Sequence, residues 1–136
     1  MTFDTEVFLR RLRGLVSALA LLQQSDAGSI GYAEFRSKVG KSVALVLTSV
    51  GQLLRAALKG HGESAEVVDA LSDADVLRRV GEQGLLSAEE GARWSAYFDL
   101  RNSVSGKADV LAEEALTLLR ALLIDARSLE VDLRSR

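Results

Sequence analysis

The chain has 136 residues, 48% apolar and 26% charged, with one histidine and neither cysteine nor proline. That length suits one domain with one core, and the lack of cysteine excludes disulfides, thiolate nucleophiles and cysteine-based zinc sites. A net charge of −2 excludes a broad electrostatic grip on nucleic acid and leaves only site-specific contact.

Phe8, Leu12, Leu15, Val16, Leu19 and Leu22 recur at steps of three and four and predict a first helix from about Asp4 to Gln24, ended by Ser25-Asp26-Ala27-Gly28-Ser29. Arg10, Arg11 and Arg13 ahead of an apolar run have some likeness to a signal peptide. Asp4 and Glu6 are wrong for its basic region, and the run continues an amphipathic pattern.

The second helix gives the longest signal: Tyr32, Phe35, Val39, Val43, Val46, Val50, Leu53 and Ala57 keep the rhythm as far as Gly60-His61-Gly62. At about 1.5 Å per residue it is roughly 40 Å long. Gly40, Ala44, Leu47, Gly51, Leu54 and Leu58 form a second stripe beside the first, so the apolar face is twice the usual width. Glycines inside a helix cost about 1 kcal/mol each, which predicts a close helix crossing at Gly40 and Gly51. A second subunit is one candidate for that neighbour and the last helix of the same chain is another. The longest uncharged stretch, Ser42 to Leu54, falls short of the ~20 apolar residues of a spanning helix, so no membrane crossing and a cytoplasmic location are expected.

Glu63 to Leu71 reads as a short helical piece, and Ser72-Asp73-Ala74-Asp75 starts another short helix ending near Gly84. Ser87-Ala88-Glu89-Glu90 is a capping box that opens a helix carrying Trp94, Tyr97, Phe98 and Arg101 and ending between Ser103 and Gly106. A last helix starts near Lys107 to Asp109, with Leu111, Ala115, Leu118, Leu119, Leu122, Ala126, Leu129 and Leu133 as its apolar side. The sum is an all-α fold, an antiparallel helical bundle of about four principal helices plus one or two short ones, in a single domain over 1–136. The expected core includes Leu15, Leu19, Phe35, Val39, Val46, Val50, Leu118 and Leu122.

Three segments invite a chemical reading. Gly40-Lys41-Ser42 imitates the end of a phosphate-binding loop, but the required first glycine falls on Phe35, and the segment lies inside a helix whose amides are already bonded. His61, set between two glycines with no second ligand near it in sequence, reads as an exposed helix terminator rather than a base or ligand. From Asp99 to Gly106, polar residues crowd a helix end, where Asp99, Arg101, Asn102, Ser103 and Ser105 serve either capping or recognition. Periodicity alone favours the first reading, with Arg101 stacked on Tyr97 and Asn102 and Ser103 closing the helix. No residue set suggests a metal or a cofactor.

Arg101-Asn102 followed by Ser105, just ahead of a long terminal helix, resembles the Arg-Asn-x-x-x-His signature of HEPN domains. Tyr32 and Phe35 at the start of the long helix, Val76-Leu77-Arg78-Arg79-Val80, Gly84-Leu85-Leu86 and Trp94 extend the likeness toward the branch called nucleotidyltransferase substrate-binding proteins, over roughly residues 6 to 130. The resemblance implies a homodimer, a nucleotidyltransferase subunit as partner, as in toxin–antitoxin-type pairs, and a polar cleft around Arg101 that meets nucleotide, RNA or the partner.

Catalytic members of that family are metal-independent ribonucleases, whose motif arginine and histidine line a cleft across a dimer. Attack by an internal 2′-hydroxyl needs a proton-transfer group active near neutral pH and a cation for the phosphorane charge. Arg101 matches the cation, but Gly106 stands at the histidine position and neither Lys107 nor Ala108 replaces it. The tyrosine adenylylated in some paired systems falls on Ala108. A non-catalytic partner subunit is therefore expected, with no catalytic residue assigned. The alternatives are a ribonuclease toxin with an altered site and a purely structural dimerisation domain.

Overall fold

The computed structural model describes residues 3–24, 31–106 and 112–134, except for the side chains at 33, 101–106, 112–116 and 134. Among the described residues there are six helices and no strand: α1 (Thr5–Gln23), α2 (Tyr32–Gly60), α3 (Ala65–Asp69), α4 (Asp73–Glu82), α5 (Ala88–Gly106) and α6 (Ala112–Arg134). The chain is thus an all-α bundle of four long helices and two short ones. The expected starts of α6 at Lys107 to Asp109 and the break after α1 at Ser25 to Ser29 lie outside the described residues.

Local chemistry sets the helix ends. Asp4 caps α1, its Oδ1 accepting from the amides of Glu6 at 2.9 Å and Val7 at 3.2 Å. Phe3, just before the cap, packs on Phe8 with ring centroids 5.5 Å apart and fixes the entry of the chain as a hydrophobic staple. Both bonds of the predicted capping box form at α5: Ser87 N–H donates to Glu90 Oε1 at 2.9 Å, and Glu90 N–H to Ser87 Oγ at 3.1 Å. Ser72 caps α4 by accepting from Asp75 N–H at 3.2 Å.

α2 and α4 stop in the same way. Gly62 N–H reaches Lys59 O and Glu63 N–H reaches Leu58 O; Gly84 N–H reaches Gly81 O and Leu85 N–H reaches Val80 O. These are Schellman closures, which need a left-handed residue, supplied by Gly62 at φ 93° and Gly84 at φ 74°.

The long helices run antiparallel. Phe3 and Thr5 share a pocket with Gly60, whereas Arg11 reaches back to Leu45 O and Ser49 Oγ on α2. Along α5 and α6 the order is likewise reversed, since Leu85 lies with Leu133 while Tyr97 meets Asp125. α2 is the centre: it packs on α1 most extensively, then on α5 and α4, and touches α3 and α6.

That central position corrects the expectation for the second stripe of α2. Leu47, Leu54 and Leu58 are fully buried within the chain, and Gly51 is buried too. A Cβ on Gly51 would meet Arg55 Nη1 at 2.9 Å and Asp73 Oδ1 at 3.3 Å. Within the chain, the close neighbour of Gly51 is therefore not the last helix but an ion pair to α4. Gly40 and Ala44 are half-buried.

Most of the expected core is buried, including Leu15, Leu19, Val39, Val46, Val50 and Leu122, and Phe35 packs on it while partly exposed. Two residues of the expected stripes point outward: Val16 is 52% exposed and Leu118 is 38% exposed. Each adjoins a buried leucine, Leu15 or Leu119, and one step round a helix is about 100°. At these two pairs the contact covers the leucine and turns its neighbour outward.

By length and composition α2 could also cross a bilayer, the segment Glu34–Gly60 having a mean hydropathy of 1.3; half of that window is buried inside the bundle, as in a central core helix.

Candidate functional site

The polar end of α5 was the expected site. α5 is fixed by its buried face of Trp94, Tyr97 and Leu100, and helix continues through Gly106. Asp99 is exposed on it. The side chains of Arg101, Asn102, Ser103 and Ser105 lie outside the described residues.

One turn earlier, Tyr97 is 1% exposed and set edge-on to Trp94 at 5.1 Å between centroids. Its hydroxyl donates to Asp125 Oδ2 at 2.5 Å, and Arg93 Nε donates to the same oxygen at 3.0 Å. Burial, then the hydrogen bond to Asp125 and its charge, push the phenol up to about 12, with Arg93 opposing. The cluster pins α5 to α6 and so sets where the following turn carries Arg101.

The single histidine is remote from that turn. His61 caps the C-terminal end of α2 and is exposed there, as the sequence predicts for a terminator. It also lines a pocket of about 310 Å³ with Leu85, which lies ahead of the first residue of α5. Arg101 sits thirteen positions beyond Ala88 along α5, about 20 Å at 1.5 Å per residue. Within one chain, therefore, His61 and Arg101 occupy opposite ends of α5.

Sequence reasoning missed this pocket. Phe3 and Thr5 come from the start of α1, Leu53, Ala56, Ala57 and Gly60 from the end of α2, Leu85 from the α4–α5 turn, and Glu130 and Leu133 from the end of α6. Glu130 is only 4% exposed and is the one acidic side chain of the lining among the described residues. A signal for it was present: Glu130 falls four residues after Ala126 and three before Leu133, inside the apolar stripe of α6. A carboxylate in that register must enter the bundle.

Charged side chains at this end of the bundle also pair between elements. Lys59 Nζ lies 2.8 Å from Asp69, and Arg55 binds Asp73 Oδ1 at 3.1 Å and Leu71 O at 2.8 Å. Arg79 on α4 and Gln83, which caps its end, both donate to the carboxylate of Glu63. These contacts fasten α3 and α4 to the end of α2 and hold the turns that frame the pocket. No cluster of three or more acidic, cysteine or histidine side chains suited to a metal occurs among the described residues.

No protein-family model, no curated protein and no solved structure matches this chain.

Proposed function

We propose that this chain is a non-catalytic helical partner subunit of a minimal nucleotidyltransferase, which it meets through the polar end of α5 around Asp99, Arg101, Asn102, Ser103 and Ser105. One observation carries the reading: the arginine–asparagine pair stands before a terminal helix while Gly106 occupies the position of the proton-transfer histidine. His61 cannot stand in for it in the same chain, because it lies with Leu85 ahead of α5 while Arg101 is thirteen residues into that helix. What remains is a cation beside short polar side chains, a combination that binds phosphate or a carboxylate-bearing surface without turning it over.

The homodimer belongs to this proposal on the strength of the sequence resemblance, since Leu47, Leu54 and Leu58 of the wide face of α2 are buried within the chain itself.

Two measurements test the reading. Co-expression with a small nucleotidyltransferase encoded beside it is expected to give a complex that co-elutes in size exclusion and is weakened by Arg101→Ala; two proteins that elute separately refute it. The purified chain, incubated with single-stranded RNA and chelator, is expected to leave the RNA intact. Cleavage that is lost in Arg101→Ala would establish the ribonuclease alternative instead.

A further inference from the structure

We propose that the outward face of the α1–α2 pair binds an anionic lipid bilayer, lying on its surface without crossing it. The sequence supplies the charge. From Val7 to Leu54 the cations Arg10, Arg11, Arg13, Arg36, Lys38 and Lys41 stand against only Asp26 and Glu34. The whole chain nonetheless has a net charge of −2, so the excess acid is carried by its other segments. An anionic surface both attracts such a molecule and turns its basic side inward.

Helical spacing gathers the groups. Arg10, Gly14, Ser17 and Leu21 follow one another at steps of four and three along α1, and Lys38, Lys41, Leu45 and Thr48 do so along α2, so each set shares one side of its helix. All of them are exposed. Arg11 joins the two helices by donating to Leu45 O at 3.3 Å and Ser49 Oγ at 2.8 Å, which puts the two sets on either side of one seam. Because the helices are antiparallel, Leu45 lies beside the Arg10–Arg11 end and Leu21 toward Lys38. Lys38 Nζ rests 5.9 Å from the centre of the Phe35 ring. Among the described residues Arg10, Lys38 and Lys41 take part in no ion pair.

The leucines decide between anionic partners. Leu45 is 48% exposed and Leu21 is 42% exposed, in the midst of the cations. Nucleic acid would use the charges but not these side chains, since its bases stack on aromatic rings and neither set contains one. A bilayer uses both: the cations meet lipid phosphates and carboxylates in the headgroup layer, and the leucines enter the acyl boundary beneath. The face is drawn from α1 and α2 alone, so it does not depend on the reading of the polar end of α5.

Cosedimentation of the full chain with vesicles tests the proposal. Near an anionic surface each cation adds about fivefold to partition, and a half-exposed leucine that becomes buried adds a similar factor. The parent is expected to sediment with vesicles of about 30% phosphatidylserine in phosphatidylcholine at about 50 mM salt, and to stay in solution at about 500 mM, where the screening length is about threefold shorter. With pure phosphatidylcholine it is expected to stay in solution at both. Lys38→Gln combined with Lys41→Gln should weaken binding about 25-fold, and Leu45→Ser about fivefold. Arg120→Gln combined with Arg127→Gln removes two exposed cations of α6 instead and should leave binding within about twofold of the parent. These positions are all exposed, so the helical circular dichroism is expected to stay unchanged.

Failure to bind the anionic vesicles at low salt overturns the proposal, as does equal binding to pure phosphatidylcholine. An equal loss in the α6 variant would show that net charge governs rather than this face, and an unchanged Leu45→Ser would show that nothing enters the acyl layer; either result overturns it. Single-stranded RNA bound by the parent and released by the Lys38 and Lys41 substitutions, with vesicles left unbound, would assign the face to nucleic acid instead.

Discussion

Gly51 offers a test in which a substitution changes sign with its surroundings. On an interior helical position, glycine to alanine gains about 1 kcal/mol in propensity. The new Cβ would, however, lie 2.9 Å from Arg55 Nη1, which must swing away. Arg55 then gives up its bonds to Asp73 Oδ1 at 3.1 Å and Leu71 O at 2.8 Å. The Arg55 and Asp73 side chains are 21% and 34% exposed, so the usual value of charged hydrogen bonds is discounted to about 2 kcal/mol for the set. Gly51→Ala is therefore expected to destabilise the parent by about 1 kcal/mol, and Arg55→Met by about 2 kcal/mol, which is about 8 °C in melting temperature. In the Arg55→Met background the clash is gone, and Gly51→Ala should become stabilising by about 1 kcal/mol, a coupling of about 2 kcal/mol across the cycle. Urea unfolding of the four proteins, followed by circular dichroism, measures it. Gly51→Ala stabilising both backgrounds equally would show that the guanidinium does not sit over that glycine. Gly51→Leu separating a stable dimer into folded monomers would return Gly51 to a subunit interface.

Val46 is fully buried, and Val46→Asp is expected to cost at least about 4 kcal/mol and leave the chain largely unfolded by circular dichroism; a parent-like melt would mean that this face of α2 is misassigned. Ser87→Ala removes one half of a formed capping box and should lower stability by about 1 kcal/mol with helicity retained, read from the urea midpoint. Tyr97 has its phenol pushed from 10.0 up to about 12 in the folded state, so above pH 10 the unfolded chain loses that proton first. Its contribution is complete below pH 10 and is lost as pH rises toward 12. In Tyr97→Phe, melts across that range should lack the corresponding part of the alkaline decline, and an identical decline would place the hydroxyl in water.

The sequence by itself determined the helices. Steps of three and four marked all four long ones, and Ser72, Ser87, Glu90, Gly62 and Gly84 announced ends that the structure forms, because capping and Schellman closure involve residues only a few positions apart. It also carried the arginine–asparagine pair and the glycine at the expected histidine position, both matters of local spelling. Burial within a stripe was legible only on average: Leu118 and Leu119 look alike in sequence, and the narrow contact of α6 with its neighbours chose Leu119.

Only the tertiary structure decided what covers α2. Gly51 implied a close neighbour, but nothing local distinguishes another helix from a guanidinium four residues away that is drawn to Asp73 by the packing of α4. The pocket was likewise set at that level. Phe3, His61, Leu85 and Glu130 are dispersed over most of the chain, and no periodicity links them. They meet because antiparallel packing returns the start of α1, the ends of α2 and α6 and the α4–α5 turn to one end of the bundle, while the same packing carries Arg101 along α5 toward the other.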